Sequence, residues 1–168
     1  TWKLSGPVQR VYDKSVRAYV VRCDGGPSMR MQLPKDERRS LALVQPFLVM
    51  QIYLDETKPF SMELCVTDTG RARRRPFFST SFRRPEATPL HTRIPLTCVA
   101  RGVWTNLTLD LAELVAHNFG GARYGRLEMT SVGASCQLRK IVTLREAPYD
   151  ALAQQDVLPL GPPTAVPK

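Results

Sequence analysis

The sequence predicts an all-β domain with antiparallel pairing and one short helix. Apolar residues fall in short runs that alternate with polar ones or are apolar throughout, clusters of Gly, Pro, Asp and Asn separate the runs, and only one segment repeats at helical spacing. At 168 residues the chain has the length of one domain, enough to bury most of its apolar side chains around a single core.

Residues 15–23 alternate Val16, Ala18 and Val20 against Arg17, Tyr19 and Val21, then stop at the turn Asp24-Gly25-Gly26-Pro27. Residues 29–33 resume as a strand with Met29, Met31 and Leu33 on one face, and Pro34, which has no amide proton to donate, ends it. Residues 38–43 fit a loop or a helical turn. Pro46 precedes 47–54, apolar at nearly every position, which is the pattern of a central strand covered on both faces. Residues 60–67 alternate Phe60, Met62, Leu64 and Val66 against Ser61, Glu63 and Cys65 and run into the turn Asp68-Thr69-Gly70. The next strand carries the arginines, and the shortest connection makes the two a hairpin.

Residues 94–99 and 104–109 give two further strands, with Leu107, Leu109 and Leu111 directed at the core. Asp110, with Glu113 three residues on, has the spacing of a helix N-cap. Leu111, Leu114, Val115 and Phe119 then form one helical stripe, closed by Gly120-Gly121. Residues 127–132 and 136–144 supply the last two strands. Pro148 marks the edge of a folded domain spanning 1–147, and Pro159, Pro162, Pro163 and Pro167 make 148–168 an extended tail, disordered or laid along a neighbour.

The most informative stretch follows Gly70. Arg71, Arg73, Arg74, Arg75, Arg83 and Arg84 meet no acidic residue before Glu86 and are interleaved with Phe77, Phe78 and Phe82. Such a cluster repels itself, and its field reaches a polyanion over about 8 Å at physiological salt. The phenylalanines imply a strand anchored in a core, which places the guanidinium groups on a rigid sheet edge. An ordinary solvated face is the other reading of an arginine run. The whole chain has 24 basic and 15 acidic residues, a net charge of +9, so nucleic acid, an anionic membrane and the acidic tails of tubulin all qualify as partners. No apolar run approaches the ~18 residues that span a bilayer.

Little in the chain offers catalysis. His91 and His117 are the only histidines, no phosphate loop or nucleophile elbow occurs, and Ser135-Cys136 has no context of a nucleophile. Cys23, Cys65, Cys98 and Cys136 lie more than thirty residues apart, without a Cys-x-x-Cys pair, so buried reduced thiols in a reducing compartment are expected and neither a metal nor a cofactor. Asn106-Leu107-Thr108 matches a glycosylation sequon but sits inside a strand pattern. The chain begins at Thr1, consistent with a trimmed start or a segment of a longer protein.

An ordered set of segments carries a resemblance. Gln32-Leu33-Pro34-Lys35, Phe47-Leu48-Val49-Met50-Gln51-Ile52, Val66-Thr67-Asp68 with Gly70, Arg73-Arg74-Arg75 followed by Phe78-Ser79-Thr80, Thr88-Pro89-Leu90-His91, Ile94-Pro95-Leu96, Trp104 with Asn106-Leu107 and Leu109-Asp110-Leu111, and Cys136 with Leu138-Arg139-Lys140-Ile141 occur here in sequence. In these the chain resembles the domain family typified by cilia- and flagella-associated protein twenty, most of all larger proteins carrying one copy of the domain. The likeness covers roughly Trp2 to Ala147. It implies a β-sandwich of jelly-roll type with a short helix and no catalytic activity. It also implies tubulin, microtubules and other axonemal proteins as partners, in the axoneme of a cilium or flagellum. Ala42 departs from the family at a place where glycine is usual, and Ser135 where asparagine is.

Together these readings make the chain a non-catalytic structural module that grips an acidic partner. Arg71, Arg73, Arg74 and Arg75 are the first candidates for the contact, because the arginine fork matches a carboxylate bidentately. Arg83 and Arg84 extend the run, and Lys35, Arg38, Arg39, Arg139 and Lys140 are second choices. A nucleic-acid-binding β-domain is the alternative function, weakened because adjacent Phe77 and Phe78 point to opposite faces and leave at most one for base stacking. Sugar binding, with Trp2 and Trp104 as the only possible platforms, ranks last.

Overall fold

A computed structural model describes residues 1–26 and 28–148 and the backbone of 164–165. In chain order the elements are β1 (Lys3–Ser5), β2 (Val8–Asp13), β3 (Ala18–Cys23), β4 (Arg30–Leu33), β5 (Phe47–Tyr53), β6 (Phe60–Asp68) and β7 (Arg73–Ser79). They continue with β8 (Glu86–Ala87), β9 (His91–Pro95), β10 (Trp104–Asp110), α1 (Leu111–Asn118), β11 (Tyr124–Ala134), β12 (Cys136–Leu144) and β13 (Thr164–Ala165). Two sheets result. One runs β1-β4-β11-β6-β7-β9-β8 and the other β13-β10-β5-β12-β3-β2. The expected all-β sandwich with one short helix is therefore the fold.

Alternation places the core between the sheets. Phe60, Met62, Leu64 and Val66 of β6, Phe78 of β7 and Leu127 and Val132 of β11 are fully buried from one side, and Leu48, Met50, Ile52, Leu107 and Leu109 from the other. Each such side chain contributes roughly 1.5–3 kcal/mol relative to exposure. The central strand β5 is flanked by β10 and β12, and on its outward side Phe47, Gln51 and Tyr53 are only half-buried. A smaller cluster of Val16, Val20 and Trp104, with Tyr53, packs on that outward side.

Helix α1 closes the sandwich by burying Leu111, Leu114 and Val115, with Phe119 just beyond it. Asp110 caps it as expected, its Oδ1 accepting the amides of Ala112 and Glu113 at 3.0 Å each. No helix among the described residues is long and apolar enough to cross a membrane.

Several expectations need correction. Residues 38–43 hold no helical turn: the Arg38 and Arg39 amides are taken by Asp36, and Leu43 then forms a single bridge to Leu127. The strand expected at 94–99 is β9, which starts at His91 and ends at Pro95. Cys98 is exposed, unlike Cys23, Cys65 and Cys136. Of the expected tail, 149–163 and 166–168 lie outside the described residues, while β13 pairs Thr164 and Ala165 with Asn106 and Thr105.

Candidate partner-binding site

The hairpin expected for the arginines is present, with Thr67 opposite Arg73 and Met62 opposite Phe78. The sheet edge is not. β9 pairs in parallel along β7 from Arg75 to Ser79, and β8 lies outside β9, so β7 is an interior strand. Its arginines use the broad outward surface of the sheet. Arg73, Arg75 and Phe77 point outward, while Arg74, Pro76 and Phe78 point toward the core.

Arg74 is thereby removed from the contact surface. Its Nη2 and Nε reach Asp68 Oδ2 at 2.7 and 2.9 Å, a further guanidinium nitrogen donates to the Pro89 carbonyl, and the group sits 5.4 Å from the centre of the Phe119 ring. The two side chains are 17% and 4% exposed. Burial pushes the Asp68 carboxyl up, but hydrogen bonds from Arg74 and the Ala72 amide, with the Arg74 charge, outweigh it and hold the carboxyl below its usual range. Arg74 is structural: it ties β7 to the β6 turn and to the end of α1.

Arg75 is also partnered. Its guanidinium meets Glu63 Oε1 at 2.6 Å, and Arg30 meets Glu63 Oε2 at 2.8 Å, so one carboxylate serves two arginines. Phe77 is spoken for as well, since Phe82 packs edge-on against it at 5.4 Å and Arg93 covers the Phe82 ring at 5.7 Å. Phe77 is the one aromatic side chain that β7 turns outward, and it stays partly exposed beside a cleft shared with Thr88, His91 and Arg93.

Two confluent cavities mark this surface, of about 450 and 820 Å³. Arg73, Arg39 and Glu37 line both. The first adds Arg30, Arg75 and His91, and the second adds Arg38, Arg71 and Arg126. The fold thus unites the first-choice arginines Arg71 and Arg73 with the second-choice Arg38 and Arg39. Every carboxylate that lines the two cavities is paired, Glu37 with Lys3, Asp68 with Arg74 and Glu128 with Arg126, and Glu63 of β6 is paired with Arg30 and Arg75. Among the described residues Arg38, Arg39, Arg71 and Arg73 pair with none.

The walls of the site are rigid. The segment carrying Arg38 and Arg39 is fastened to β11 by Leu41 N donating to Glu128 O at 2.9 Å, by reciprocal amides between Leu43 and Leu127, and by the Tyr124 hydroxyl on Leu43 O at 2.8 Å. Gly125 lies at an irregularity in the β11 ladder, where a Cβ would come within 2.6 Å of Thr67 O, so only glycine lets the strands approach there. Glu128, 6% exposed, is held down to about 2: burial opposes ionisation, but hydrogen bonds from Ser40, Thr67 and Arg126 prevail. Arg71 stands at φ +67°, a left-handed backbone in the turn before β7, and lines the second cavity beside Arg73.

The remaining candidates lie elsewhere. Arg83 and Arg84 follow the far end of β7, roughly 20 Å from its start by strand rise, so the run of six is two clusters. Lys35 is exposed after β4 and lines neither cavity. Arg139 and Lys140 belong to the other sheet, beside a separate apolar groove with Trp2, Leu4 and Ile141. Sequence reasoning missed Arg30, Glu63, Arg126 and Glu128. Their signal was weak, since alternation marks Glu63 as outward but not the strands it bridges.

The fold and this surface define a β-sandwich protein with one arginine-lined outward face. The chain belongs to the CFA20 domain family, whose model matches residues 1–156, and that family is one of structural proteins associated with cilia and flagella.

Proposed function

We propose that this domain is a non-catalytic structural module that holds microtubules and axonemal partner proteins through the outward face of its seven-stranded sheet. The observation that carries the reading is the convergence of Arg38, Arg39, Arg71 and Arg73 on one rigid concavity whose lining carboxylates, Glu37, Asp68 and Glu128, are already paired. Uncompensated guanidinium groups on fixed backbone are prepared to take carboxylates bidentately, with little ordering cost. Tubulin's acidic tails supply that chemistry, and membership of a cilia-associated family supports the choice of such a partner.

Co-sedimentation of the chain with microtubules tests it. Binding is expected at low ionic strength, with a steep fall toward physiological salt and a further loss when the acidic tails are removed from tubulin. Competition by duplex or single-stranded nucleic acid at much lower concentration than tubulin would transfer the reading to nucleic acid. In the same proposal 1–147 is the folded module and 148–168 an extended tail. A broad-specificity protease is then expected to cut first within 148–168 and leave a resistant core.

A further inference from the structure

Cys23 and Cys136 are directly opposed in the antiparallel ladder between β3 and β12. Opposed residues in such a ladder have Cα atoms about 4.5 or 5.5 Å apart, and both separations fall within the range a disulfide spans. The Cys23 thiol donates to the Met31 thioether sulfur at 3.0 Å. They are buried, 2% and 4% exposed. A cleft of about 270 Å³, lined by both residues with Arg22, Lys58 and Ser135, borders the pair.

The position gives the pair structural leverage. Among the described residues the backbone ladder from the β2–β3 hairpin to its sheet is only Cys23–Cys136, Arg22–Gln137 and Val21–Leu138. Beyond it the hairpin is held by side chains, Val16 and Val20 packing on Trp104 and Asp13 accepting the Trp104 indole N–H at 3.2 Å. The cysteine pair ends that short ladder. We propose that Cys23 and Cys136 are a peroxide-oxidised dithiol whose disulfide fastens the β2–β3 hairpin to β12.

The roles of the two sulfurs differ. The neighbouring Cys136 thiol favours the Cys23 thiolate and lowers its pKa despite burial, whereas Cys23, with burial, pushes the Cys136 thiol up. Cys23 is therefore the attacking sulfur. Its thiolate displaces an alcohol or water from a peroxide, breaking the O–O bond and forming a sulfenic acid, and the departing oxygen takes up a proton. The Cys136 sulfur, losing its proton, attacks Cys23 Sγ. The S–S bond forms, the S–O bond breaks and hydroxide leaves as water. The sulfurs lose two electrons in all, and the peroxide gains them. Cys65 lies on the other sheet and Cys98 is exposed, so neither competes for this partner.

The test treats the reduced full chain with hydrogen peroxide, then denatures it, alkylates free thiols and maps peptides by mass spectrometry. A Cys23–Cys136 linked peptide is expected, unchanged in Cys98→Ser. Cys136→Ser should instead leave Cys23 as a sulfenic acid that dimedone labels. Amide hydrogen exchange across 8–23 should slow about tenfold on oxidation, since detachment of the hairpin becomes costlier. Recovery of Cys23 and Cys136 as alkylated thiols after peroxide has consumed Cys98, or a linked peptide that pairs either one with Cys98, overturns the proposal.

Discussion

Strand alternation turns Arg74 inward while its neighbours on β7 face solvent, and the consequence is a sharp difference in what each substitution does. Arg74→Ser would strand the Asp68 carboxylate, 4% exposed at its side chain, without its counter-charge, at an expected cost of about 3–5 kcal/mol in urea unfolding. Ala42 behaves in the opposite sense. It holds φ +49° at a place where the resembled family has glycine. Ala42→Gly removes about 1–2 kcal/mol of left-handed strain and adds a smaller unfolded-state entropy, so thermal unfolding should show a gain of about 0.5–1 kcal/mol. Glu128 sets an acid limit. Its pKa is lowered from 4.5 to about 2, so its stabilisation is complete above the unfolded value and drains away as pH falls from 4.5 toward 2. Stability measured across that window should decline less steeply in Glu128→Gln, which starts from a lower plateau.

Asp110 supplies acceptors for two amides of α1, and Asp110→Ala should cost about 1 kcal/mol by chemical denaturation. This cap was legible in the sequence because it is local, as were the helical stripe, the β6–β7 hairpin and the buried central strand. What escaped notice has a common physical cause. β1 is exposed throughout and β2 buries little, so neither prints an alternating apolar pattern, and β8 is too short to print any. The parallel pairing of β9 with β7 depends on a chain reversal through 80–90 that no short-range signal encodes. For the site, the arginines themselves were readable but their grouping was not. Arg38 and Arg39 reach Arg71 and Arg73 only because Leu41 and Leu43 bind β11, a contact more than eighty residues away in sequence. Arg74 was misplaced because its inward counter-charge, Asp68, looked like an ordinary turn aspartate.

A net charge of +9 would draw this chain toward any polyanion, so binding alone does not locate the contact. The geometry does distinguish two basic regions on opposite sheets, Arg38, Arg39, Arg71 and Arg73 on one and Arg139 and Lys140 on the other. Neutralising the first set, with Arg71→Asn because asparagine tolerates the left-handed backbone and glutamine elsewhere, removes charges that make no ion pair in the described residues. Folding should then change by no more than about ±0.5 kcal/mol per site, and relief of mutual repulsion favours the variant. Microtubule affinity should fall by about 1.5–3 kcal/mol for each charge-assisted contact that is lost, and the salt dependence should flatten. Arg139→Gln with Lys140→Gln lowers the net charge too but leaves the concavity intact, so its effect should be small. Equal losses per charge from both sets would mean that the partner feels only the overall field, and the concavity would lose its claim as the site.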